Sequence, residues 1–193
     1  MATKREATIE DLYNVPDGYK GELVDGELVL MPASGFWPSY AAGMIFASLL
    51  EYSKRAKKGF ALPNDTGYIV NLPNRRSFNP DAAYYTGPTS GMKFLDRAPT
   101  FAAEVRSEWD YGAGAERDQA RKRAEYFEAG TQVVWYVDLL SEDVVRVYRH
   151  ADPENPTIYL RGELAEAEPA VPGWQMPVDD LFPTGGEGPD EAE

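Results

Sequence analysis

Two carboxylates and one lysine occupy positions where such groups seldom stand without a purpose. Asp81 opens the strand-like run Pro80-Asp81-Ala82-Ala83-Tyr84-Tyr85, with the proline at an edge where its missing N–H does least harm. Glu104 lies inside a second strand-like run, Thr100-Phe101-Ala102-Ala103-Glu104-Val105-Arg106. An ionised carboxylate in an apolar strand must be paired, hydrogen-bonded or bound to a metal. After a loop holding Trp109, Gly112 and Gly114, the segment 115–129 reads as a helix. It carries Asp118, Lys122 and Tyr126 at four-residue steps, on one side.

These groups need elements that bring them together. If the two runs are neighbouring antiparallel strands, the start of one lies beside the end of the other, so Asp81 and Glu104 converge. Side chains alternate, so Ala102, Glu104 and Arg106 share one face while Phe101, Ala103 and Val105 share the other. On the helix, Ala120, Ala124 and Phe127 form an apolar stripe on the side away from Asp118 and Lys122. That pattern predicts a helix packed by its alanines, with its lysine leaning over a sheet edge.

At 193 residues without internal repeats, the chain is long enough to bury a substantial core, and residues 1–183 read as one domain. It has no cysteine, so disulfides, thiolate chemistry and Cys-based metal sites are excluded. The opening Met-Ala-Thr-Lys-Arg-Glu has no apolar stretch behind it, and no run approaches a membrane span, so a cytoplasmic protein is expected. The net charge of −13 argues against a nonspecific nucleic-acid binder with a broad basic face. Part of that charge sits in 184–193, where Glu187, Asp190, Glu191 and Glu193 follow a Gly-Gly pair and predict a disordered acidic tail. Basic residues cluster at Lys54, Arg55, Lys57 and Lys58, a solvated helix face, and at Arg117, Arg121, Lys122 and Arg123.

Thr8-Ile9-Glu10-Asp11 has the form of a helix N-cap with an acid three residues on. Asp25-Gly26 between two alternating runs is a hairpin signal, with Glu22 and Glu27 flanking the turn. Residues 39–58 suit a long amphipathic helix closed by Gly59, and 60–72 one or two strands broken at Pro63-Asn64-Asp65. Val133 to Asp138 reads as a strand buried on both faces, followed by strands at 144–149 and 157–161 with a loop over 152–156. Trp174 and Leu181-Phe182 are expected to cover a sheet edge. The fold class is α+β: a mixed, mainly antiparallel sheet with a long helix and a shorter helix packed on it.

In order, Gly21 to Leu28, Pro80-Asp81, Ala103-Glu104-Val105 with Ser107, Asp118 to Lys122 to Tyr126, Gly130, and Val134 to Asp138 resemble the bacterial Uma-two family. That family is assigned to the PD-(D/E)XK, restriction-endonuclease-like fold. The resemblance covers about residues 8–182. It implies that Asp81 and Glu104 bind a divalent metal, that Lys122 takes the catalytic lysine role from the helix, and that Glu22 is the N-terminal acid of the same site. Mg²⁺, with Mn²⁺ as a substitute, suits two hard carboxylates, a carbonyl such as that of Val105, and waters. The implied reaction is metal-assisted hydrolysis of DNA, and cutting both strands of a duplex is compatible with a homodimer. Arg106 stands where a typical superfamily member has lysine; being always protonated, it can bind phosphate but cannot act as a base.

Plainer readings stand beside these. Glu104 can be a structural acid paired with Arg106 or Lys122, and Lys122 a surface residue paired with Asp118. Asp118 and Tyr126 either orient Lys122 or serve the helix surface and the core. Trp109, Arg106 and Arg121 are the candidates for touching a substrate. The alternative function is a catalytically inactive nucleic-acid-binding or protein-interaction module on the nuclease fold.

Overall fold

The computed structural model describes residues 5–183; the tail over 184–193 lies outside the described residues. Thr8 starts α1 (Ile9–Tyr13), donating its N–H and its hydroxyl to Asp11 Oδ2 at 2.7 and 2.8 Å. β1 (Lys20–Val24) and β2 (Glu27–Met31) form the expected hairpin, with Val24 opposite Glu27. Asp25 and Gly26 both hold positive φ, 50° and 75°, as a two-residue primed turn requires.

α2 (Phe36–Ala56) begins three residues earlier than the periodicity predicts and buries Ala41, Ala42, Ile45 and Leu49 at helical steps. It ends at a left-handed Lys57, and Gly59, at φ 66°, turns the chain into β3 (Phe60–Pro63). The Tyr84 hydroxyl donates to the Lys58 carbonyl here, and its ring fills the space that a Cβ on residue 59 would need. Gly59→Ala therefore meets both backbone strain and a clash, and should cost about 1–3 kcal/mol in urea unfolding. An unchanged midpoint would show that the turn rearranges freely.

β4 (Tyr68–Ile69) and β5 (Ser77–Phe78) form a small ribbon ahead of β6 (Ala82–Tyr85) and β7 (Phe101–Val105). After α3 (Ala113–Glu128) come β8 (Val133–Val137), β9 (Val145–Arg149), β10 (Asp152–Tyr159), β11 (Leu164–Glu166), β12 (Gln175–Pro177) and a short 3-10 helix, Val178–Leu181. The central sheet runs β10-β9-β8-β7-β6-β3, with β7 and β8 parallel and every other pair antiparallel. α3 is the crossover that a parallel pair needs. The class is the α+β arrangement expected.

Side-chain alternation divides the core between the two faces of this sheet. Phe101, Ala103 and Val105 pack toward α2 with Trp135, and Ala102, Val134 and Tyr136 pack toward α3 with Tyr126 and Phe127. Burying Ile45, Leu49 or Phe101 contributes about 1.5–3 kcal/mol each. β8 is buried at every position, the continuous apolar run having two faces to cover.

Three expectations change. Trp174 covers the α2 face rather than an edge: its ring lies 5.0 Å from Trp135 and its indole N–H donates to Ser48 Oγ at 3.0 Å, and Leu181 and Phe182 join the same core. Residues 152–156 belong to β10, but between Asp152 and Thr157 the register shifts, so its two prolines sit in an irregular edge strand that tolerates them. On α3, Ala120 and Ala124 are exposed, and the inward face carries Lys122, Glu125, Tyr126 and Phe127. Polar side chains face the sheet here because ion pairs are waiting for them.

Candidate active site

Strand pairing brings the two acids together as the alternation predicts. Asp81 N–H donates to the Ala103 carbonyl at 3.0 Å, and Asp81 Oδ2 accepts the Val105 N–H at 2.9 Å. The side chain of Asp81 thus caps the end of β7, next to Glu104. On α3, the Lys122 ammonium donates to Glu104 Oε1 at 2.8 Å and to Glu22 Oε1 at 3.0 Å. The Tyr126 hydroxyl, one turn on, donates to Glu104 Oε1 at 2.6 Å. Four elements contribute, since Glu22 comes from β1.

β1 supplies a second group by the same alternation. Lys20 and Glu22 share a face, and the Lys20 ammonium reaches Asp81 Oδ1 at 2.9 Å and Asn64 Oδ1 at 2.8 Å. The hairpin is held in place by the segment before β6: Ser77 Oγ accepts the Leu23 N–H at 2.8 Å, and Arg76 N–H donates to the Leu23 carbonyl at 2.9 Å. Behind Glu22 stands Arg75, 5% exposed, which bridges Glu22 and Glu125, its Nε lying 2.5 Å from Glu125 Oε2. Its guanidinium also lies 5.0 Å from the centre of the Phe78 ring.

The charges set one another's protonation. Burial pushes the Glu22 carboxyl up, but Lys122 and Arg75 more than reverse this and hold it below the usual carboxylate range. Burial raises Glu104, Lys122 only partly offsets it, and the like charges of Asp81 and Glu22 add to the rise. Burial disfavours the Lys122 ammonium, yet Glu104 and Glu22 keep it charged well beyond the ordinary lysine range. Tyr126 is raised by burial and then by Glu104 and Glu22, so its hydroxyl stays a donor.

The connected ion pairs hold five carboxylates (Glu22, Asp25, Asp81, Glu104, Glu125) against four cations (Lys20, Arg75, Arg121, Lys122). Among the described residues no three acidic or imidazole side chains form a metal cluster by themselves. Two hard carboxylates with a local excess of negative charge fit a hydrated divalent cation such as Mg²⁺, which takes few protein ligands and keeps its waters. They do not fit a dedicated all-protein cage.

The family model described as "Putative restriction endonuclease", Uma2, matches residues 7–179. The chain belongs to the Uma2 family. A solved structure from Anabaena variabilis ATCC 29413, titled as a "putative nuclease belonging to DUF820", superposes with a TM-score of 0.71 at 17% identity, covering 91% of this chain and 97% of that one. At that identity the likeness shows a shared fold. No curated protein matches the chain.

Within this Uma2 fold, Glu22, Asp81, Glu104, Lys122 and Tyr126 come together. The other candidates do not join them. Arg106 is buried and committed to the fold: it pairs with Asp138 at 3.0 Å, with Glu116, and with Gln119 Oε1 at 3.0 Å, under Tyr111. Arg121 is exposed and bridges Asp25, at 2.6 Å, to Glu125. Asp118 is exposed on α3, a turn short of the site, and leaves Tyr126 as the helix group that meets Glu104. Trp109, 83% exposed, stands in the turn after β7. Lys20, Arg75 and Glu125 escape a reading of the sequence by motif. Lys20 had one available signal, its place two residues before Glu22 on the same strand.

No helix of the described residues is long and apolar enough to cross a membrane.

Proposed function

We propose that the protein is a divalent-metal-dependent DNA endonuclease, with Asp81 and Glu104 holding Mg²⁺, or Mn²⁺ in its place. The observation that carries this reading is the convergence of Asp81, Glu104 and Lys122 from two paired strands and a crossover helix, with Glu22 on the far side of the lysine. A bound metal would supply a water acidified for attack and would neutralise charge gathering on the phosphodiester. The protein's own groups do the rest. Lys122 presents a permanent positive charge where the phosphorane would gain negative charge, and Glu22 and Tyr126 fix its position and that of Glu104. Lys20, bonded to Asp81, is placed to take a phosphate oxygen of the strand. Arg106 serves the fold, its donors already being engaged. A homodimer would place two such sites on a duplex.

The test is cleavage of labelled DNA with Mg²⁺ or Mn²⁺, alongside calorimetric metal binding, for wild type and Asp81→Ala/Glu104→Ala. Cleavage and metal binding should both vanish in the double variant while its circular dichroism stays native. Activity that survives would end the assignment. Metal binding without cleavage by the wild type would instead favour an inactive DNA-binding module.

A further inference from the structure

The cleft beside Asp81 has features that a backbone-only nuclease site would not need. It encloses about 530 Å³ between α1, the hairpin and the β3–β5 segment, a size within the ~300–1,000 Å³ typical of small-molecule sites. Its walls are mostly apolar and aromatic, including Leu12, Tyr19, Met31, Ile69 and Phe94. Phe94 is braced face to face by Tyr13, with ring centres 4.3 Å apart at 12°. It lies so close over Gly67 that a Cβ there would stand 2.5 Å from the ring. The aromatic wall is therefore fixed in place rather than adaptable.

One polar group inside it has no partner. Asn79 lines the cleft at 7% exposure, and its Oδ1 is one of two buried side-chain polar atoms among the described residues that lack a hydrogen bond. Its main-chain N–H is already given to Glu22 Oε1 at 2.8 Å, so the carboxamide is held in register with the acids while remaining free to bond. A carboxamide offers an acceptor and two donors, and it can pair in bidentate fashion with a base edge that presents an acceptor next to an amino group. Lys20 and Asn64, which hold Asp81, line the same cleft, so it opens onto the phosphate-handling side of the site.

The geometry points to a binding site for one unpaired nucleobase of the substrate strand, stacked on the Phe94 wall and read by Asn79, with its phosphate at Lys20 and Asp81. This rests on the nuclease reading and narrows it: the strand enters single-stranded, or with one nucleotide extruded from a duplex. Stacking on an aromatic face serves any base, while the Asn79 carboxamide favours adenine.

The test is binding in EDTA, where no cleavage occurs, using deoxyadenosine 5′-monophosphate and deoxyribose 5-phosphate followed by NMR. The nucleotide should bind at least about ten-fold more tightly and shift the Phe94 and Asn79 side-chain signals. Asn79→Ala, which keeps the main-chain N–H that Glu22 accepts, and Phe94→Ala should each remove most of that preference and leave deoxyribose phosphate binding unchanged. Equal affinity for the two ligands, or a preference that survives both substitutions, would overturn the inference. Single strands carrying one abasic position should then bind weakly at one register only. A duplex with a mismatch there should bind more tightly than its matched parent if extrusion is the route, because unpairing is already partly done, and equally if single strands are the substrate. Cleavage by a protein whose cleft shows no base preference sinks this inference alone. Base-selective binding without cleavage under any divalent ion sinks the nuclease alone.

Discussion

Lys122→Met should lower single-turnover DNA cleavage about 10²–10³-fold at saturating Mg²⁺, the usual effect of removing one group that stabilises transition-state charge. The geometry explains why no neighbour can substitute. Lys122 is the one cation that touches both Glu22 and Glu104, and the nearest other cations, Arg75 and Lys20, are held by Glu22 with Glu125 and by Asp81 with Asn64. Loss of the ammonium also removes the main influence holding the Glu104 carboxyl down, so its carbon-13 titration in metal-free buffer should move further up. Cleavage within ten-fold of wild type would remove Lys122 from the chemistry.

The same site sets the pH dependence of stability, in three windows. Lys122, raised above its ordinary value, contributes stability that is fully present below the unfolded lysine pKa and is lost only as pH climbs through its raised folded value. Glu22, lowered, contributes above pH ~4.5 and loses that contribution as pH falls through its lowered value. Glu104, raised, works the other way: the folded protein binds its proton more tightly, so stability declines as pH rises from ~4.5 through the raised value. Urea unfolding from pH 4 to 9 should show Glu104→Gln flattening that last decline. Unaltered curvature would mean that Glu104 does not titrate apart from its neighbours.

Arg75→Met should cost about 3–5 kcal/mol, among the largest single losses of stability available in this fold. The guanidinium is buried between Glu22 and Glu125, and deleting it leaves buried carboxylate oxygens facing each other. Lys122 and the Asn79 N–H still reach Glu22, and Arg121 still reaches Glu125 at 3.1 Å, so the loss falls short of complete unfolding. Adding Glu125→Met should return part of the loss, because removing both partners of a buried pair costs far less than removing one. The check is the urea midpoint of the single and double variants at unchanged slope. A single-variant loss under about 1 kcal/mol would show that water replaces the arginine.

How much of this was legible depends on the range of the interaction. Strand alternation placed Asp81 beside Glu104 and put Phe101, Ala103 and Val105 on the opposite face, and the structure agrees at each position. The Asp25-Gly26 turn fixed the hairpin, and with it the shared face of Lys20 and Glu22. Helix α3 misled because its alanines suggested an apolar packing stripe, whereas buried ion pairs made a polar face the inward one.

The sequence by itself determined the α+β class, the strands that carry Asp81 and Glu104, and the helix that carries Lys122, because strand and helix periods are local and survive in any context. Tertiary structure alone decided which cations complete the site. Lys20 meets Asp81 across 61 positions and Arg75 meets Glu125 across 50, and a loop arginine has no period to reveal it. Such pairs form only when the hairpin docks on the sheet, where desolvation makes an unpaired charge too costly to leave.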